Sequence, residues 1–339
     1  MPRYIGVDLH TTCFTVCTLD SKGESSFQEY KLTELARFQK SLRRSDQVAV
    51  EATGNARFFS EQVRPRVKRV VVVNPRQFEV IKQSRSKTDK RDSYNLALYL
   101  SKGLLPEARM KEKEQSELSS LAQTRDKLVK SRTQLKNKLH ALLVQHGLES
   151  KREAYSSERG LQRVLEVEAF GEITRLEVEV IVAQIRSLNA GIRRLDEEIK
   201  RQGPKLAGHD SLVSIKGIGT RGATILLSVI GEVEDFADES RLASYFGIVP
   251  TVRQSNETEH HGRITKGGSK LGSTTLVQCT LVALRYSPYL KKFYERIKGR
   301  RGTGKAIIAT ARKFLGVVYQ TLKNKWVFAD FPNFVLVEE

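Results

Sequence analysis

Cysteine is scarce in this chain of 339 residues: only Cys13, Cys17 and Cys279 occur. They form no ligand-spaced cluster, which argues against a structural zinc site and for a reducing, cytosolic compartment. Cys13 and Cys17 fall on one face of a strand and read as core residues. Long apolar runs are missing too, and none reaches the roughly eighteen residues that a membrane-spanning helix needs. No signal peptide is expected, because Asp8 interrupts the apolar region that such a segment requires. Acids are outnumbered, with 39 Asp and Glu against 58 Lys and Arg, a formal net charge of +19. A chain this basic meets a polyanion, nucleic acid first of all. An anionic membrane surface would call for a basic amphipathic helix near one end, and neither end supplies one. What is present is a hydrophobic fraction of 39%, enough to bury a core in two or three domains.

The stretch Tyr4-Ile5-Gly6-Val7-Asp8-Leu9-His10 sets one carboxylate into an apolar strand. Ile5 and Val7 share one face, and Gly6 and Asp8 share the other. A buried acid is costly without a partner or a task; the plain alternative is a turn Asp that accepts backbone hydrogen bonds. Cys13 to Leu19 and Ser26 to Leu32 read as further strands of a meander. A helix is expected from Thr33, its N-cap, to about Arg44. Strands over 47–52 and 67–73 flank a helix over Ala56–Val63. This alternation predicts a mixed α/β sheet covered on both faces. Glu51 ends one of these strands. Asp89 and Asp92, three residues apart, share the first turn of the helix that follows Lys87-Thr88. Helix capping accounts for such a pair, but not for Asp8 and Glu51 at strand ends in the same region.

From about Arg109 the pattern changes to heptads. Leu118, Leu121, Leu128, Leu135, Leu139 and Leu142 form one seam, with Arg125 and Arg132 in it; Val178, Ile181, Ile185, Leu188, Ile192, Leu195 and Ile199 form the other. Two long helices in an antiparallel coiled-coil arm are expected, joined by a polar link over Ser150–Gly160. Gln202-Gly203-Pro204 ends the arm. Lys216-Gly217-Ile218-Gly219 before the apolar run Ala223–Ile230 resembles a helix-hairpin-helix turn that offers backbone amides to a phosphate; an ordinary helix–helix turn reads the same way. Thr251–Ser269 is expected to be a polar loop holding Arg253, Ser255, His260, His261, Arg263 and Lys266. Residues 285–325 contain twelve Lys or Arg and one acid, Glu295. They include Lys291, Lys292, Arg300 and Arg301, and form the main candidate surface for nucleic-acid phosphates.

Taken in order, these pieces resemble the DEDD insertion-sequence transposases related to the Piv DNA invertases, the bridge-RNA-guided recombinases. The N-terminal matches are Ile5-Gly6-Val7-Asp8, Val50-Glu51-Ala52-Thr53-Gly54 and Lys87-Thr88-Asp89-Lys90-Arg91-Asp92. The C-terminal matches are Gly217-Ile218-Gly219, Phe246-Gly247-Ile248-Val249-Pro250 and Gly262-Arg263-Ile264-Thr265-Lys266-Gly267-Gly268. The resemblance implies three parts: an RNase H-like (RuvC-like) domain over 1–108, the coiled-coil arm over 109–205, and a mostly helical transposase domain over 206–339. It implies a catalytic tetrad of Asp8, Glu51, Asp89 and Asp92, and a serine nucleophile at the position of Ser255. Two positions depart from the family pattern: Asn256 follows the serine where Gly is common, and Gly272 follows Leu271 where Arg is usual. Ser269 and Ser273 are the alternative nucleophiles.

Four converging carboxylates repel one another until a divalent cation neutralises them, and hard oxygen donors select Mg²⁺ or Mn²⁺. The resulting expectation is a DNA recombinase that cuts and rejoins donor and target strands through the tetrad and Ser255. A guide RNA and a homo-oligomer, dimer or tetramer, are expected as partners, at a nucleoid-associated cytoplasmic location. The carboxylates and the serine lie in different domains, so they meet by folding together or across subunits. Two other classes stay open: a resolvase-like metal nuclease in which Ser255 is only a loop residue, and a non-catalytic nucleic-acid-binding protein.

Overall fold

Alternating apolar residues build the first sheet. The structure, a computed structural model, describes residues 2–75, 77–78, 88–149, 151–255, 258–265 and 267–337, with the backbone alone for 152–153, 252–255 and 258–261. The chain divides into two units, Met1–Met110 and Lys111–Glu339. The first contains β1 (Tyr4–Leu9), β2 (Cys13–Leu19), β3 (Ser25–Lys31), α1 (Leu35–Ser41), β4 (Gln47–Glu51), α2 (Ala56–Val63), β5 (Arg69–Val73) and α3 (Asp89–Ser101). Its sheet has the order β3-β2-β1-β4-β5. β2 runs antiparallel to β1 and β3, whereas β1, β4 and β5 are parallel.

Both faces of this sheet are covered. Ile5, Val7, Phe14, Val16, Val48 and Val50 pack with Leu35, Phe38, Phe59 and Val63 of α1 and α2. On the other side, Leu96 and Leu100 of α3 pack on Ala49, Val71 and Val73, and Ala97 packs on Cys17 and Leu19. The start of β1 is tied to the turn before β4 by the Arg3 fork on buried Asp46, Nε at 3.0 Å and Nη2 at 2.6 Å. Three expectations change here. Thr33 is not an N-cap: residues 32–34 form a 3₁₀ turn, and the Glu34 carboxylate accepts from the Lys31 N–H instead. The helix that follows stops at Ser41 rather than Arg44. Cys13 is exposed, because it is the first residue of β2 at the hairpin end, while burial pushes the Cys17 thiol up to about 11.

The second unit is mostly helical. Helices α4 (Lys113–Gln145) and α6 (Glu172–Gln202) run antiparallel, as their cross-pairs show: Arg125 with Asp196, Arg132 with Asn189, Lys138 with Glu177. The expected polar link between them is itself folded. Residues 152–156 form a 3₁₀ turn. Ser157 caps α5 (Glu158–Leu165) by accepting from the Gly160 N–H, and Tyr155 is fully buried against Leu139, Leu161 and Val182. The single aromatic ring in a polar segment is the anchor.

At the other end, Ala122 and Ile199 join the core formed by α7 (His209–Ser214), α8 (Thr220–Ile230), α9 (Glu239–Tyr245), α10 (Lys270–Ala283), α11 (Pro288–Arg301) and α12 (Thr303–Lys323). Side-chain oxygens start several of these helices: Asp238 caps α9, Ser269 caps α10, and Ser287 caps α11 ahead of Pro288, the order favoured at helix N-termini. In place of a polar loop over Thr251–Ser269, β6 (Pro250–Ser255) pairs antiparallel with β7 (Thr258–Ile264). Alternate residues of each arm share a face, so the polarity of the segment suits a ribbon as well as a loop. The chain ends in a small hairpin, β8 (Val327–Asp330) with β9 (Val335–Val337). Among the described residues no helix is long and apolar enough to cross a membrane.

Candidate active site

The parallel pairing of β1 and β4 brings two carboxylates together. Val7 lies beside Val50; one residue further on, the same register sets Asp8 beside Glu51 at the carboxyl ends of both strands. Residues in register share a sheet face, and for this pair it is the face covered by α3, since Gly6 and Ala49 point there too. Gly6 sets how closely α3 approaches. A Cβ at Gly6 would lie 1.9 Å from the Ser93 carbonyl oxygen and 2.5 Å from the Ala97 nitrogen. Only glycine admits a helix backbone at that distance.

That close approach delivers the first turn of α3 to the strand ends. The helix is capped by Thr88, whose hydroxyl accepts from the Arg91 N–H at 3.3 Å, so neither Asp89 nor Asp92 serves as the cap. Asp92 is 5% exposed, a position at which an acid costs several kcal/mol unless charge or hydrogen bonds compensate it. Asp89 is 61% exposed at its side chain and reaches toward β1. Between Asp8 and Asp89 stands a residue absent from the sequence-derived tetrad: the His10 Nε2 is 3.4 Å from Asp8 Oδ2 and 3.4 Å from Asp89 Oδ2. One sequence signal does point to it: His10 follows Asp8 by two, immediately past the end of β1 at Leu9. The side chains of His260 and His261, the histidines of the basic segment, lie outside the described residues.

Asp8, His10 and Asp89 each offer a donor atom, all within 4.8 Å of one another. Two oxygens on opposite sides of a hexacoordinate cation are separated by about 4 Å, so this donor set fits a divalent ion with small side-chain adjustments. The set brings together residues from a strand, the position just after it and a helix; Glu51 on the adjoining strand and Asp92 on the helix are not among the donors within that distance.

The other sequence-derived candidates fall in the second unit. Lys216, Gly217 and Gly219 form the turn between α7 and α8. Gly217 has φ +117°, and a Cβ there would meet the Ala283 nitrogen at 2.7 Å; its need for glycine is therefore conformational and steric. The turn borders a cleft of about 500 Å³ with Arg125, Lys200 and Arg221 in its walls. Arg125 and Arg221 already face the Asp196 carboxylate, which offsets their charge. Arg253 and Ser255 lie on β6 with backbone partners His260 and Thr258 across the ribbon. Arg263 on β7 is exposed. Lys266 and Asn256 lie outside the described residues. Gly247 and Gly268 approach so closely that a Cβ on Gly247 would meet the Gly268 nitrogen at 2.7 Å, which packs the Phe246–Pro250 and Gly262–Gly268 motifs against each other. Ser269 is committed as a cap, accepting from the Gly272 N–H at 3.1 Å. Lys291, Lys292, Arg300 and Arg301 are exposed on α11, and Lys313 of α12 sits 4.7 Å from the ring centres of Tyr289 and Phe293.

Comparison with known proteins bears on the same regions. Residues 5–147 match a family of DEDD transposases of IS110 type, described as Transposase. Residues 209–295 match the family described as Transposase IS116/IS110/IS902. The chain is 25% identical to the transposase for insertion sequence element IS1111A of Coxiella burnetii, over 95% of this chain and 90% of that protein. It is 25% identical to the pilin gene-inverting protein of Moraxella bovis, over 96% and 97%, and 28% identical to that of Moraxella lacunata, over 77% and 74%. The DEDD character of the first match implies dependence on a divalent metal. With both of its units matched in order, the chain belongs to the IS110-type DNA transposases and is itself similar to the pilin gene-inverting proteins.

Proposed function

We propose that this transposase exchanges DNA strands by two chemical functions: a divalent cation, Mg²⁺ or Mn²⁺, held by Asp8, Glu51, Asp89 and Asp92, and a nucleophilic serine, Ser255. The observation that carries the proposal is the meeting of Asp8 and Asp89 donor oxygens within 4.8 Å, at strand ends where the β1–β4 register sets Glu51 beside Asp8 and under the helix turn that also carries Asp92. The strand order β3-β2-β1-β4-β5 with its parallel half supports reading residues 1–108 as RNase H-like, of the RuvC kind. The antiparallel pairing of α4 with α6 supports a coiled-coil arm over 109–205, leaving 206–339 as the strand-joining part.

When bound, the cation supplies Lewis-acid polarisation of the phosphate and charge neutralisation of the oxygens entering and leaving phosphorus. The carboxylates hold it and keep the site negative without it. The serine step is a transesterification: the Ser255 Oγ–P bond forms as a P–O bond of the DNA strand breaks. The hydroxyl proton is released to solvent and the departing oxygen takes one up. The phosphoserine link keeps the bond energy, so a hydroxyl of a second strand can attack it and free the serine. Ser255 is preferred to Ser269, whose oxygen is occupied as the cap of α10. The name of the Moraxella relatives, gene-inverting proteins, supports cutting and rejoining rather than hydrolysis. The +19 charge and the exposed basic α11 support donor and target DNA, and a guide RNA, as partners of a homo-oligomer at the nucleoid.

Asp8→Asn and Glu51→Gln should abolish strand exchange while leaving gel-shift affinity for DNA within about threefold, because neither carboxylate lies on the basic helices. A Mg²⁺-dependent covalent protein–DNA adduct should form with the natural chain and be absent from Ser255→Ala. Hydrolysed ends with no adduct would make the protein a resolvase-like nuclease. An adduct that survives in Ser255→Ala would move the nucleophile to Ser273, in the first turn of α10.

A further inference from the structure

We propose that His10 is itself a ligand of the cation at the Asp8 site, making it a mixed nitrogen–oxygen centre that favours Mn²⁺ over Mg²⁺ more than carboxylates alone would. The inference rests on the metal-binding reading above and goes beyond its four acids.

The backbone of His10 is held on both sides. Its N–H donates to the Cys13 carbonyl at 2.9 Å, closing the β1–β2 hairpin. Its carbonyl accepts from Asn55 Nδ2 at 2.9 Å, which ties it to the turn after Glu51. The imidazole is thereby positioned by the two segments that carry Asp8 and Glu51. Its Nε2 stands at equal distance, 3.4 Å, from carboxylate oxygens of Asp8 and of Asp89 on α3. An imidazole serving one ion pair needs one acid. Here a single nitrogen faces two acids that come from different elements and would otherwise repel each other. The side chain is 48% exposed, so no packing requirement keeps a histidine at this place.

The donor type sets the selectivity. Mg²⁺ holds its waters and takes hard oxygen ligands in a strict octahedron. Mn²⁺ also prefers oxygen donors and is the weakest binder of the divalent transition series, but as a transition ion it takes an imidazole nitrogen more readily than Mg²⁺ does. An Nε2 donor beside Asp8 and Asp89 therefore adds more to Mn²⁺ affinity than to Mg²⁺ affinity.

The test is Mn²⁺ binding by the full chain, followed by electron paramagnetic resonance with Mg²⁺ competition, in the natural protein, His10→Asn, His10→Gln and Asp8→Asn. Pulsed spectra of the natural protein should contain an imidazole-nitrogen coupling that both His10 variants lose. The preference for Mn²⁺ over Mg²⁺ should fall by about tenfold or more, the scale on which groups around a metal set its affinity. Melting temperatures should stay unchanged, given the exposure of the ring. Mn²⁺ that binds, is lost in Asp8→Asn, and shows no nitrogen coupling would overturn the inference and leave the carboxylate site standing. So would a coupling that persists in both His10 variants, which would come from another of the six histidines. No Mn²⁺ binding to the natural protein would overturn both this inference and the metal-binding reading.

Discussion

Gly6 is the residue on which the geometry of the acids depends. It has no side chain to offer the site, yet its missing Cβ lets the backbone of α3 lie on β1 and so brings an Asp89 oxygen within 4.8 Å of Asp8. Gly6→Ala forces a methyl group to within 1.9 Å of the Ser93 carbonyl, and because the nearest atoms are backbone, the helix must move as a body. Overpacking of this kind costs about 1–3 kcal/mol. A lowered melting temperature is expected, together with a loss of strand exchange larger than the stability change explains, since a displacement of about 1 Å at a reacting centre can cost two orders of magnitude in rate. A variant that melts early yet recombines at the natural rate at low temperature would show that α3 need not sit where it does.

At the scale of elements, the antiparallel pair α4 and α6 combines an apolar seam with polar cross-ties. The Arg125 guanidinium makes two bonds to Asp196, 2.6 and 3.1 Å, with both side chains less than a quarter exposed. A paired, partly buried fork of this kind fixes register as much as it adds stability. Asp196→Ala leaves Arg125 facing the seam with its charge unmatched. A double-mutant cycle with Arg125→Ala should give a coupling of about 1–3 kcal/mol in chemical unfolding. A coupling near zero would mean that the Leu and Ile positions set the register alone.

For the whole molecule, charge is the property that decides its partners. Lysine and arginine exceed acids by nineteen, and α11 carries six of these cations against one acid, Glu295. Lys291→Gln with Lys292→Gln, and Arg300→Gln with Arg301→Gln, should each weaken DNA binding. The slope of log affinity against log salt should fall by about one unit for each phosphate that the variant no longer neutralises. An unchanged slope would make α11 a solvated face and shift phosphate binding to the ribbon of β6 and β7. The two pairs should also leave Mn²⁺ binding intact, because the donors lie in the first unit.

The sequence by itself determined what is local and periodic. The two-residue alternation of β1, the heptads of α4 and α6, the turn at Gln202-Gly203-Pro204 and the charge balance are properties of neighbours along the chain, and the elements form where those patterns run. The acids at 8, 51, 89 and 92 are legible as candidates because each stands where a strand ends or a helix begins. What only the tertiary structure decided is which side chains face one another. His10 enters the site because parallel pairing and the packing of α3 set three separate segments against one another, and no spacing along the chain encodes that distance. Ser269 is engaged as the cap of α10 because the Gly272 N–H donates to its oxygen. Tyr155 folds the expected polar link by packing into a core contributed by α4, α5 and α6. A ribbon forms over 250–264 because its backbone hydrogen bonds are satisfied across the two arms, a requirement that polarity alone does not reveal.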